Sequence, residues 1–110
     1  VIRGFEQTAL RHLLNGIVPP EMLQAVIEVP AYQVDPSNSG YFLTIKHPAL
    51  PSEAFTLASP LVTGHAGELV VGFVVFLGNH ELTLECHAWG ADEPPAGLRD
   101  MDVTIRVADG

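Results

Sequence analysis

A single cysteine, Cys86, leaves no partner for an internal disulfide, and cations are scarce: five Lys and Arg stand against 13 Asp and Glu, for a formal charge of −8. That is the wrong sign for neutralising phosphates, so nucleic acid is not expected as a partner. Long apolar runs are missing too. The longest, Leu69 to Gly78, has ten residues bounded by Glu68 and Asn79, about half of the ~20 that a spanning helix needs, and no membrane partner is expected. The opening Val-Ile-Arg-Gly-Phe-Glu has neither an initiator Met nor an apolar stretch before a small-residue cleavage site. It reads as a trimmed start or a domain boundary rather than an export signal. An unpaired Cys86 fits a cytoplasmic location. What is present is a chain that is 47% hydrophobic, enough for a single α+β domain over residues 1–110 with its own core and no cofactor.

The first apolar pattern is helical. Phe5, Ala9, Leu10, Leu13 and Leu14 fall on one face, Glu6 near the start and Arg11 and His12 near the end complement the helix dipole, and Asn15-Gly16 supplies a left-handed stop. Pro19-Pro20 suits the first turn of a second helix, which Glu21 to about Glu28 continues with Met22, Leu23, Val26 and Ile27 on a shared side. After Pro30 the period changes to two. Ala31 to Asp35 and Tyr41 to Lys46, joined by Pro36-Ser-Asn-Ser-Gly40, form an expected hairpin. His47 to Ser59 reads as a loop or short edge segment, and Leu57 to Thr63 as a strand interrupted by Pro60. Leu69 to Leu77, Gly78-Asn79-His80 and Glu81 to Trp89 form the stronger hairpin, and Met101 to Val107 a last strand after the loop carrying Asp92 and Glu93. The expected architecture is two N-terminal helices packed on one face of a curved antiparallel sheet of four to six strands. Val70 to Leu77 is apolar at every position, so both its faces must be covered. Helices can cover one, leaving the other for a long loop, a curled sheet, a second copy or another protein.

Several weak motifs recur in a familiar order: Gly4-Phe5-Glu6 opening a helix with Leu13-Leu14-Asn15-Gly16, then Gly40-Tyr41-Phe42-Leu43-Thr44, then Gly72-Phe73-Val74-Val75-Phe76-Leu77 and Leu82-Thr83-Leu84-Glu85. From Gly4 to Pro95 the chain resembles a widespread group of small uncharacterised bacterial proteins. They carry Phe-Glu…Leu-Leu-x-Gly, Gly-Phe-Phe-Thr and Gly-Phe-Val-Leu-Phe before Leu-Glu-Gly-Tyr-Thr-Tyr-Gly-Glu-Pro-Trp-Pro. The chain departs from that pattern with Asn79-His80 in place of Asp-Gly and with Cys86-His87-Ala88-Trp89-Gly90 in place of Gly-Tyr-Thr-Tyr-Gly. The resemblance implies no established activity, but small acidic α+β proteins of this kind look like the immunity or antitoxin proteins encoded beside bacterial toxins. The aligned positions it singles out are Glu85, Trp89, Gly90, Glu93 and Pro94.

The residues available for chemistry are few. His65, His80, Cys86 and His87 lack the spacing of metal ligands, since adjacent Cys86 and His87 point to opposite sides of a strand, and no metal is expected. Gly64-His65-Ala66-Gly67 lacks the spacing and the following Lys of a phosphate loop. No nucleophile elbow occurs, and Cys86 on the apolar face of its strand reads as a core residue with an inert thiol. Thr83, Glu85, His87 and Trp89 share the opposite face. A Glu and a His about 7 Å apart along one face can do acid–base work, but a sheet with one solvated face produces the same alternation without function. No catalytic role is therefore assigned.

Charge order is more informative. No Lys or Arg lies between Lys46 and Arg99, a stretch that holds Glu53, Glu68, Glu81, Glu85, Asp92 and Glu93. A one-signed field steers a basic partner, although acidic residues also serve solubility alone. The expected function is a non-enzymatic, immunity- or antitoxin-like binding domain that presents an acidic sheet face, with Glu85, His87, Trp89, Asp92 and Glu93 as contact residues and Trp89 as anchor. Its partner would be a protein such as a basic toxin. The alternatives are a small pocket domain resembling the cystatin-like architecture, with Glu85 and His87 as acid and base between helices and sheet, and a homodimer that covers the second face of Val70 to Leu77.

Overall fold

The computed structural model describes residues 1–90 and 95–108, so the expected contact residues Asp92 and Glu93 lie outside the described residues. Two helices come first, α1 (Gly4–Leu14) and α2 (Pro20–Ile27), followed by seven strands: β1 (Gln33–Pro36), β2 (Gly40–Lys46), β3 (Phe55–Leu57), β4 (Leu61–Ala66), β5 (Leu69–Gly78), β6 (Glu81–Ala88) and β7 (Thr104–Ala108). The helix boundaries follow the local chemistry. Gly16 takes a left-handed φ of 77° just beyond α1, and Pro20 opens α2, where a missing N–H costs nothing.

The strands form one open antiparallel sheet in the order β1-β2-β6-β5-β4-β7, with β3 paired to β5 beside β4. Seven strands exceed the four to six expected because the segment around Pro60 makes two short strands, not one. Phe55–Leu57 pairs with Val75–Leu77, Thr63–Ala66 pairs with Leu69–Gly72, and Ala58-Ser59-Pro60 joins them without pairing. Proline has no N–H to give a ladder at that point. The last strand also starts later than expected, at Thr104 and not Met101. A 3₁₀ turn over Leu98–Asp100 ties the Met101 N–H to the Leu98 carbonyl, and β4 offers partners only for Thr104 to Ala108.

Helix α1 contacts β4, β5 and β7, and its fully buried Ala9, Leu10 and Leu14 meet Leu43, Ile45, Val75, Leu82 and Leu84 in one core. Helix α2 packs beside α1 and adds Val26. Register does the sorting. In β6 the residues Leu82, Leu84 and Cys86 are buried on the helix side, opposite Ile45, Leu43 and Tyr41 of β2 and Leu77, Val75 and Phe73 of β5. Glu81, Thr83, Glu85 and His87 therefore point to the other side. None of the described helices is long and apolar enough to cross a membrane.

The hairpin between β5 and β6 turns on Asn79 and His80, both with positive φ (52° and 60°), the backbone signature of a tight two-residue loop that matches strand twist. The loop from His47 to Ser52 clamps this turn: Asn79 N–H donates to Ser52 O and His80 N–H to Pro51 O, each at 3.0 Å, while His47 N–H donates to His80 O at 3.1 Å.

Candidate functional site

On the outer face, away from the helices, β6 runs down the middle of a mixed apolar and polar surface. Each of its side chains is flanked by the residues opposite it: Thr83 by Thr44 and Phe76, Glu85 by Phe42 and Val74, His87 by Gly40 and Gly72. The expected sharing of one face by Thr83, Glu85 and His87 is what the register produces. Trp89 joins them although it lies one residue past β6, because its N–H donates to Val70 O at 2.9 Å and carries the ladder one step further. The double apolarity of β5 is met on this side mainly within the sheet. Val70 and Val74 are half-buried among neighbours and Gly72 lies under the His87 and Trp89 rings, while Phe76 stays 39% and Trp89 45% exposed.

Two glycines explain how the rings lie. With no side chain at Gly40 or Gly72, nothing flanks His87 across the sheet, and its imidazole and the Trp89 indole settle over Gly72. The indole N–H donates to His87 Nε2 at 3.1 Å. That nitrogen must be unprotonated, which places the proton of the neutral ring on Nδ1. Nδ1 has no hydrogen-bond partner among the described residues and is buried, with Glu85 Oε1 3.8 Å away. One ring nitrogen thus accepts the indole N–H and the other is buried.

The placement corrects two expectations. Glu85 and His87 do not lie between helices and sheet, because a one-residue step along a strand reverses its side and Cys86 holds the helix side. Nor is the outer face simply acidic. Glu53 lies in the loop before β3 and Glu68 in the β4–β5 turn, Glu81 pairs with Lys46 at 3.4 Å, and exposed Arg106 of β7 sits opposite Thr63. Glu85 stands between apolar neighbours, so aromatic and aliphatic groups dominate the centre. No group of three His, Cys, Asp or Glu among the described residues could hold a metal ion.

Sequence reasoning missed a second cluster, on the helix side. Glu6 is fully buried, and its carboxylate accepts from Tyr41 OH at 2.6 Å, from Arg99 Nε and Nη2 at 2.7 and 2.8 Å, and from the Arg3 backbone N–H at 2.7 Å. The Arg99 guanidinium lies 5.2 and 5.9 Å from the ring centres of Tyr32 and Tyr41, within cation–π range, and donates to Tyr32 OH at 3.3 Å. Hydrogen bonding to Glu6 pushes the Arg99 pKa up, and burial pushes the Tyr41 phenol up. A signal existed: Glu6 lies three residues before Ala9 and four before Leu10, inside the apolar stripe of α1. A charge there demands a buried partner. Beside the cluster a cleft of about 420 Å³ is lined by Arg3, Val34, Ser37, Tyr41, Leu98 and Arg99, among others.

No protein family, no curated protein and no solved structure matches the chain.

Proposed function

We propose that the chain is a non-enzymatic protein-binding domain, immunity- or antitoxin-like and cytoplasmic, that docks the outer face of its sheet onto a basic protein. The observation that carries the reading is the surface around Glu85: Phe42, Val74, Phe76 and Trp89 form an aromatic and aliphatic patch on the side without helices, with one carboxylate near its middle. Exposed aromatics are the usual anchors of an interface. A carboxylate between apolar neighbours suits a Lys or Arg of the partner, and the overall charge of −8 favours encounter with a cationic surface. Trp89 supplies the anchor and Glu85 the charge. The partner is a protein whose own function a cover of this kind would block, such as a basic toxin.

Capture from host lysate tests it, comparing the unaltered chain with Trp89→Ser and Glu85→Lys variants at low and high salt. Support is a stoichiometric basic protein held by the unaltered chain, weakened by salt and lost with either variant. Capture that ignores both substitutions removes the outer face from the interface. A chain that captures nothing and sediments as a dimer, made monomeric by Phe76→Arg, would assign the face to a second copy instead.

A further inference from the structure

The two nitrogens of His87 meet opposite chemistry. Nε2 accepts the Trp89 indole N–H at 3.1 Å, whereas Nδ1, which carries the ring proton, is buried without a hydrogen-bond partner among the described residues and lies 3.8 Å from Glu85 Oε1. Trp89 is the only tryptophan of the chain. Its indole is hydrogen-bonded to His87 and lies over Gly72.

We propose that His87 is a proton-operated latch on Trp89: the neutral ring holds the indole over Gly72, and the protonated ring lets it go and turns to Glu85. The proton balance is direct. Nδ1 already has its proton, so a second one, taken from solvent, goes to Nε2. Nε2 then becomes a donor facing the indole N–H, another donor, and the hydrogen bond between them is lost. The imidazolium gains the attraction of the Glu85 carboxylate, so release belongs to the acid side.

Among the described residues the surroundings leave few rivals. On β6 the charged neighbour is Glu85. On β2 the ring faces Gly40 with Phe42 beyond it, and Asp35 of β1 lies opposite Phe42, further out. On β5 it faces Gly72 between Val70 and Val74, none of them charged. Past β5, Thr63 of β4 lies opposite Gly72 and bonds His65 Nε2 at 3.1 Å, and Arg106 of β7 lies opposite Thr63. Among the described residues, His65 is the other imidazole on this side of the sheet near enough to be mistaken for the switch.

The latch belongs to the isolated chain. Its consequence, a docking surface whose aromatic anchor is loosened by acid, rests on the outer-face reading above. The test separates the two because it needs no partner. The indole N–H resonance of Trp89 and the ring nitrogens of His87 are followed by NMR in the full chain from pH 8 to pH 5, the range in which imidazoles ordinarily change charge. The expected result is the Nδ1–H tautomer at pH 8, and an indole resonance that moves through a one-proton transition sharing the midpoint of the His87 ring. In His87→Gln the indole transition should vanish while the rest of the spectrum keeps its dispersion, and in His65→Gln it should persist. An Nε2–H tautomer, a flat indole resonance in the unaltered chain, or a transition that survives His87→Gln overturns the proposal.

Discussion

Arg99 closes on Glu6 across 93 residues of sequence with two hydrogen bonds, one to each carboxylate oxygen, of 2.7 and 2.8 Å. This pair fixes the 3₁₀ turn near the C-terminal strand to the first turn of α1, and Tyr41 OH on the same carboxylate ties both to β2. Helix, sheet and the turn before the last strand therefore meet at one buried charge.

Removing half of that pair should be costly. In Arg99→Ala the Glu6 carboxylate remains fully buried with its countercharge gone, and a loss of about 3–5 kcal/mol is expected, read from urea unfolding. Glu6→Gln combined with Arg99→Met removes both charges and should cost clearly less than the two single changes added together. Additive losses would mean that the groups do not act as a pair.

The thiol of Cys86 gives a pH-dependent prediction. Burial pushes its pKa up from 9.0 to about 12, so the unfolded chain loses this proton first as pH rises. Stability from the buried thiol is fully present below about pH 9 and declines toward pH 12, by at most about 1.4 kcal/mol per pH unit for a single group. Tyr41, also raised by burial, acts in the same sense. Cys86→Ala should therefore show a shallower fall in stability between pH 9 and 11 than the unaltered chain, and native Cys86 should resist a thiol reagent at pH 8 until the chain is unfolded.

How far the sequence carried the fold depends on whether the deciding contact was local. Spacing alone placed α1, α2, both hairpins and the two faces of β6, because a 3.6-residue or two-residue period is visible within a dozen positions. The split into β3 and β4 was hidden since it depends on where β5 offers partners. Glu6 and Arg99 were hidden because their partnership spans almost the whole chain, although a glutamate inside an apolar stripe was a cue. At the candidate site, the alternation placed Glu85 and His87 together on one side, but not which side the helices would take. The one-signed stretch from Lys46 to Arg99 overstated the acidity of the sheet: Glu53 and Glu68 already fall outside the expected strands, and sequence order says nothing about Lys46 crossing to Glu81.

His80 tests the clamp on the β5–β6 turn. Its left-handed backbone costs a side chain about 1–2 kcal/mol, while its Nδ1 bonds the Leu50 carbonyl at 2.7 Å. His80→Ala keeps the strain and loses the bond, for an expected loss of about 1–3 kcal/mol. His80→Gly loses the same bond but relieves the strain, so by chemical denaturation it should be more stable than the alanine variant by about 1 kcal/mol.

Gly40 and Gly72 face His87 from opposite sides, yet the same substitution should affect them very differently. A Cβ at Gly40 would fall 1.9 Å from the Cys86 carbonyl oxygen and 2.9 Å from its carbon. Both are backbone atoms of the neighbouring strand, held in the ladder between β2 and β6, so they can retreat only by opening that ladder. Gly40→Ala should cost more than about 3 kcal/mol, at or beyond the usual limit for a point substitution, or prevent folding. A Cβ at Gly72 would meet Trp89 Nε1 at 2.6 Å and His87 Nε2 at 2.9 Å, the far ends of two side chains on an open surface. These can swing aside. Gly72→Ala should fold with little loss of stability but shift the emission maximum of Trp89, because the methyl group takes the place where the rings lie. Calorimetry and tryptophan fluorescence on the two variants check this contrast. A Gly72→Ala chain with unchanged emission would show that the indole does not rest over Gly72 in solution.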